Sequence, residues 1–112
     1  MLPATKLVLV KLAHTLVWAV FAGCIVAIPI LAHLRLATAT WTAVAIVAVE
    51  VAVLCCNRMR CPLTDVAARY TSDRRANFDI YLPLWLARHN QAIFGLLYAA
   101  GVVFAAIVAA TG

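Results

Sequence analysis

Apolar positions in this chain fall in three long runs, residues 7–31, 36–56 and 84–111, rather than in alternation or in a stripe. Each run is at least as long as the ~20 residues a helix needs to cross the hydrocarbon core of a bilayer. Lipid offers no hydrogen-bond partners, so a spanning segment must satisfy its own backbone, and each run reads as an α-helix. The expected fold is an all-α membrane protein. It forms a single membrane domain over residues 1–112, with helices at about 5–32, 36–56 and 84–111 and a loop over 57–83.

The polar interruptions set the path of the chain. Pro29 falls in the last turn of the first helix, where it kinks the helix or marks its end. His33-Leu34-Arg35 is a short exit, so the second helix returns antiparallel beside the first. Thr38 or Thr40 is placed to cap it, and Trp41 suits the interface. Within the loop, residues 64–70 suggest a short amphipathic helix on the membrane surface. Leu63, Val66 and Ala67 share one side, with Asp65 and Arg69 elsewhere. Residues 71–77 are the most polar stretch and read as flexible. Phe78-Asp79-Ile80-Tyr81-Leu82 is too short to span and reads as interfacial, with Pro83 opening the third helix. That helix carries Gly95/Ala99 and Gly101/Ala105/Ala109, spacings that let another helix approach closely.

Composition agrees: 67% of residues are hydrophobic and 12% charged. A soluble domain carries about 25% charged residues. No separate soluble domain fits in 112 residues. The net charge of +5 is not a nucleic-acid signature, because of where the charges lie. Lys6, Lys11, Arg58, Arg60, Arg69, Arg74, Arg75 and Arg88 flank one side of the three spans, and Arg35 alone lies on the other. That asymmetry puts the N-terminus and loop 57–83 in the cytoplasm, facing anionic membrane lipids, and the C-terminus outside. Phe21-Ala22-Gly23-Cys24 loosely resembles a lipoprotein cleavage site, but the apolar run continues past it, so the first helix reads as an uncleaved anchor.

Glu50 is the residue that most needs explaining. It lies seven residues before Asn57, roughly 10 Å below the boundary at 1.5 Å per residue. A carboxylate there must face the bundle, be paired or be protonated. His14, eight residues after Lys6 on the antiparallel first helix, reaches nearly the same depth, with Lys11 between. A Lys11–Glu50 or His14–Glu50 pair is therefore the economical expectation. Such a pair can lock two helices in register, or it can serve proton transfer or ligand binding. His14, Trp18 and Glu50 are the candidate cofactor-binding residues, for haem b with His14 as axial ligand or for a quinone. His89 lies too near the start of the third helix to share an iron with His14, and His33 sits on the far side. Cys24, Cys55, Cys56 and Cys61 lack the usual zinc spacings, so no metal site is expected. No nucleophile elbow, phosphate loop or zinc-protease helix is present, so catalytic residues are not assigned and the chain reads more as a non-enzyme.

The order of these features resembles a family of small bacterial integral membrane proteins grouped as a domain of unknown function. The resemblance rests on Lys11-Leu12-Ala13-His14 early in the first helix and Val49-Glu50-Val51 late in the second. The motif Cys61-Pro62-Leu63-Thr64 follows, and Phe78-Asp79-Ile80-Tyr81-Leu82-Pro83 precedes the last helix. This chain differs in having Met59-Arg60 before the cysteine and Asp65-Val66-Ala67-Ala68-Arg69-Tyr70 after the motif. The resemblance implies a bacterial inner (cytoplasmic) membrane location and a site around His14, Glu50 and Cys61. It implies no activity.

Three Ala-rich helices bury little among themselves, and association in lipid is driven by packing. The leading expectation is an accessory or structural subunit of a larger membrane complex, or a self-associating protein, with the third helix as contact surface. The first alternative is a haem- or quinone-binding redox protein. The second is a small oligomeric proton-coupled transporter using Glu50 and His14.

Overall fold

The computed structural model describes residues 2–111. Four helices follow one another: α1 (Pro3–His33), α2 (Ala37–Cys56), α3 (Pro62–Ala67) and α4 (Leu84–Thr111). The chain is an all-helical membrane protein, in which α1, α2 and α4 are long and apolar enough to cross a membrane. The molecule measures 55 × 25 × 23 Å, so the helices run along its long axis.

Pro3 opens α1 at a position where its missing N–H costs nothing. Pro29 does not end the helix, which continues to His33. At the turn, Arg35 adopts a left-handed φ of 57°. The N–H groups of Arg35 and Leu36 donate to the carbonyls of Ala32 and Leu31, at 3.0 and 3.1 Å, satisfying acceptors the helix end would orphan. The expected threonine cap on α2 is not made. Leu36 is the N-cap residue, and the Thr40 and Thr42 hydroxyls instead donate back to the Leu36 and Thr38 carbonyls.

The three long helices form an open arrangement. α2 and α4 each pack along α1 but barely touch one another. At the end remote from the loop, Ile28, Ala32, Ala43 and Ala105 form the apolar core, with Ile28 fully buried. Gly101 of α4 sits where an added Cβ would lie 3.3 Å from Ile28 Cγ2 and 3.5 Å from Pro29 Cδ. Gly101 and Ala105 are thus used within the chain rather than offered to a partner. Gly95 and Ala99, on a different face, remain exposed.

α2 ends in a strained exit. Arg58 and Met59 have φ of 56° and 62°, a conformation that is costly with a Cβ. Three bonds hold it: Met59 N–H donates to the Leu54 carbonyl at 2.7 Å, and Asn57 Nδ2 donates to the Arg60 carbonyl at 2.7 Å and to Asp65 Oδ2 at 3.0 Å. The turn delivers Cys61 and starts α3 at Pro62. α3 packs against α1, with Ala67 fully buried, and it begins two residues earlier and ends three earlier than expected. Residues 71–77 are crossed by hydrogen bonds: Arg74 donates to the Thr71 and Ala68 carbonyls, and Arg75 pairs with Asp73 at 2.8 Å. The 78–82 segment is not simply interfacial. Asp79 and Ile80 are buried, and only Tyr81 is well exposed.

Candidate functional site

Under the loop, α1, α2 and α4 separate around a cavity of about 560 Å³. His14, Trp18, Glu50, Cys61, Thr64 and Asp79 all line it. His14 and Glu50, on antiparallel helices, therefore share one space.

The expected pairs, however, do not form. No ion pair joins Glu50 to His14 or Lys11 among the described residues. His14 is engaged by the loop: Nδ1 lies 3.1 Å from the Asp79 carbonyl and 3.4 Å from the Asp79 carboxylate. A carbonyl can only accept, so Nδ1 carries hydrogen, and in the neutral ring Nε2 is an open lone pair. Asp79 is held in turn by the Thr64 hydroxyl, which donates to its Oδ2. Thr64 closes the Cys61-Pro62-Leu63-Thr64 motif, so the motif reaches His14 through one carboxylate. Lys11 places its ammonium 4.4 Å from the Tyr81 ring centroid, an arrangement that suits a cation and avoids the carboxylate.

One turn deeper, Trp18 Nε1 donates to Asn90 Oδ1 at 2.8 Å. Its ring meets Phe94 edge-on at 5.7 Å between centroids. Thr15 serves two partners: its hydroxyl donates to the Lys11 carbonyl at 2.7 Å and accepts the Tyr81 N–H at 3.0 Å. Glu50 makes no hydrogen bond to any described residue, which leaves its carboxylate facing the cavity alone. The Cys61 thiol is pushed above its ordinary value by burial first, with the Glu50 and Asp79 carboxylates adding to the effect and the backbone N–H groups of Leu63 and Thr64 opposing it. It is therefore a protonated thiol at neutral pH, not a nucleophile.

His33 and His89 are exposed, and neither lines the cavity. Cys55 and Cys56 are exposed and Cys24 is half-buried. Among the described residues, no group of three His, Cys, Asp or Glu side chains is gathered as a metal site. Sequence reasoning missed Asp79, Asn90 and Thr15. Asp79 left a signal, a lone carboxylate inside an aromatic and apolar pentapeptide, where an unpartnered charge is costly.

Compared with family models, curated proteins and solved structures, the chain matches none.

Proposed function

We propose that this chain is a membrane-embedded binding protein whose cavity holds a small amphipathic molecule, its polar head meeting His14 and Glu50. One observation carries the reading. Thr64 holds Asp79 and Asp79 holds His14 Nδ1, which leaves Nε2 without a protein partner on a wall shared with unpaired Glu50. Fixing the far nitrogen of an imidazole is how proteins aim the near one at a ligand. A residue that merely locked helix register would pair with Glu50 directly. Trp18 and Phe94 supply an apolar wall for the molecule's body.

Among the cofactors, this favours a quinone-type ring over haem b. A bis-histidine haem needs a second histidine at the cavity, and neither His33 nor His89 lies there. The basic residues support placing the N-terminus and loop on the cytoplasmic side of a bacterial inner membrane. Native mass spectrometry from the cell's own lipids tests the reading. The expected result is an added small-molecule mass on the wild-type chain that is lost in His14→Ala; identical spectra for both would refute it.

A second reading, an accessory subunit or self-associating protein, is supported by the outer face of α4. Leu96, Ala99 and Val103 are exposed there, with Leu96 73% and Val103 58% accessible. Stoichiometric co-purification with larger membrane subunits would favour it. An oligomeric proton-coupled transporter needs self-association as well, so a strictly monomeric chain in lipid excludes that alternative.

A further inference from the structure

We infer that the cavity opens sideways into the bilayer between α2 and α4, with Gly95 at the opening, and that its ligand is a quinol whose ring sits inside while its apolar chain leaves through the gap. This rests on the binding reading above.

The opening follows from the helix arrangement. α2 and α4 both pack on α1 and barely touch each other. The Tyr98 hydroxyl, donating to the Val44 carbonyl at 2.9 Å, bridges them below the cavity. Above that bridge, Val51 of α2 and Gly95 of α4 both line the cavity and are both exposed. A Cβ at Gly95 would meet nothing within 4 Å, whereas one at Gly101 on the same helix would press on Ile28. Val51 lies five residues from the end of α2 and Gly95 eleven from the start of α4. That places them roughly 8 and 16 Å along their helices. The gap therefore faces hydrocarbon rather than water.

The head chemistry narrows the ligand. With hydrogen on Nδ1, the neutral His14 ring offers an acceptor at Nε2, and a Glu50 carboxyl oxygen accepts in either charge state. Asn90 has its Oδ1 taken by Trp18, which leaves its Nδ2 to donate. A quinol donates through its hydroxyls to His14 or Glu50, accepts from Asn90 through a ring oxygen, and stacks its ring on apolar side chains. A phospholipid brings two acyl chains, whereas a quinol sends one through the gap between α2 and α4.

The test uses the full chain in zwitterionic nanodiscs with Trp41→Phe and Trp85→Phe, leaving Trp18 as the fluorescent reporter. The probes are a quinol bearing an alkyl chain and the same ring without the chain. Both should quench Trp18 saturably. Gly95→Phe, and independently Val51→Phe from the other side of the gap, should weaken the chain-bearing quinol about tenfold and leave the bare ring within about twofold. Leu96→Phe, on the same helix but exposed and outside the cavity lining, should change neither. Unchanged binding of the chain-bearing quinol in both blocking variants overturns the lateral opening, as does equal weakening of both probes. Displacement of the quinol by anionic phospholipid at equal concentration overturns the ligand class. If neither probe quenches the parent, or if His14→Ala binds both as well as the parent does, the binding reading itself falls, a result distinct from failure of the opening alone.

Discussion

The two ends of the helical bundle solve opposite problems. At the far end, Gly101, Ala105, Ala43 and Ala32 let backbones close on Ile28 until no space remains. At the loop end, large and polar side chains (Trp18, His14, Phe94, Asp79) hold the helices apart around a void. Lipid tails are as apolar as leucine, so burial alone does not drive helices together. Closure there comes from small residues in contact, and openness is maintained by hydrogen bonds between the helices and the loop. The void is thus a built feature, since α2 and α4 both close on α1 around Ile28 further along the same helices.

Gly101→Leu should break the comparison most severely. Overpacking at a site where even a Cβ lies 3.3 Å from Ile28 should cost about 3 kcal/mol, read as a shifted denaturation midpoint in mixed micelles. Gly95→Leu, at the open end of the same helix, should leave the midpoint nearly unchanged. Asp79→Ala comes next: it strips a partner from the Thr64 hydroxyl and the carboxylate from His14, at a cost of about 2 kcal/mol. Its clearest readout is faster tryptic cleavage after Arg74 and Arg75 as the loop loosens; cleavage at the wild-type rate would show that the backbone carbonyl alone holds the segment. Tyr98→Phe removes the bridge between α2 and α4 and should cost about 0.6 kcal/mol, a typical interhelical hydrogen bond in lipid. A double-mutant comparison with Gly95→Phe would show whether that bridge bounds the gap.

Two smaller effects concern titration in the loop. Cys61, its thiol raised by burial above the ordinary 9.0, should react with a maleimide slowly at pH 7 and accelerate only at strongly alkaline pH, as followed by intact-mass spectrometry. Asp73 is held at about 2, below its ordinary 3.8, chiefly by the hydrogen bond from the Arg75 side chain. A lowered carboxyl favours the folded loop above pH 3.8, and that contribution is lost as pH falls toward 2. Arg75 is exposed and Asp73 partly so, and solvent screens the pair, so Asp73→Asn at pH 7 should leave the denaturation midpoint where it is.

The three spans were legible because bilayer thickness dictates their length, and apolar runs end where polarity begins. The level shared by His14 and Glu50 was legible for the same reason, since rise per residue converts sequence offset into depth. Their partners were not. Depth arithmetic compares helices with helices, and it has no term for what a loop carries inward; Asp79 arrives through residues 78–82 and takes His14 first. The small-residue spacings were equally ambiguous. Gly95/Ala99 and Gly101/Ala105 have the same period but lie on different faces of α4, and only the path of α1 decides which pair is covered. Pro29 was legible as a mark of the last turn, since α1 ends at His33, but its packing beside Gly101 was not.

Thr15 has a consequence for the order in which the molecule is made. Its hydroxyl accepts the Tyr81 N–H, a backbone group without a partner inside the 78–82 segment. Local bonds from Phe78 and Ile80 hold part of that segment, and a helix synthesised some sixty residues earlier completes it. Chains are made from the N-terminus, so α1 stands in the bilayer, with Thr15 and His14 displayed, before the loop leaves the ribosome. α1 acts as a template on which the loop completes the cavity wall.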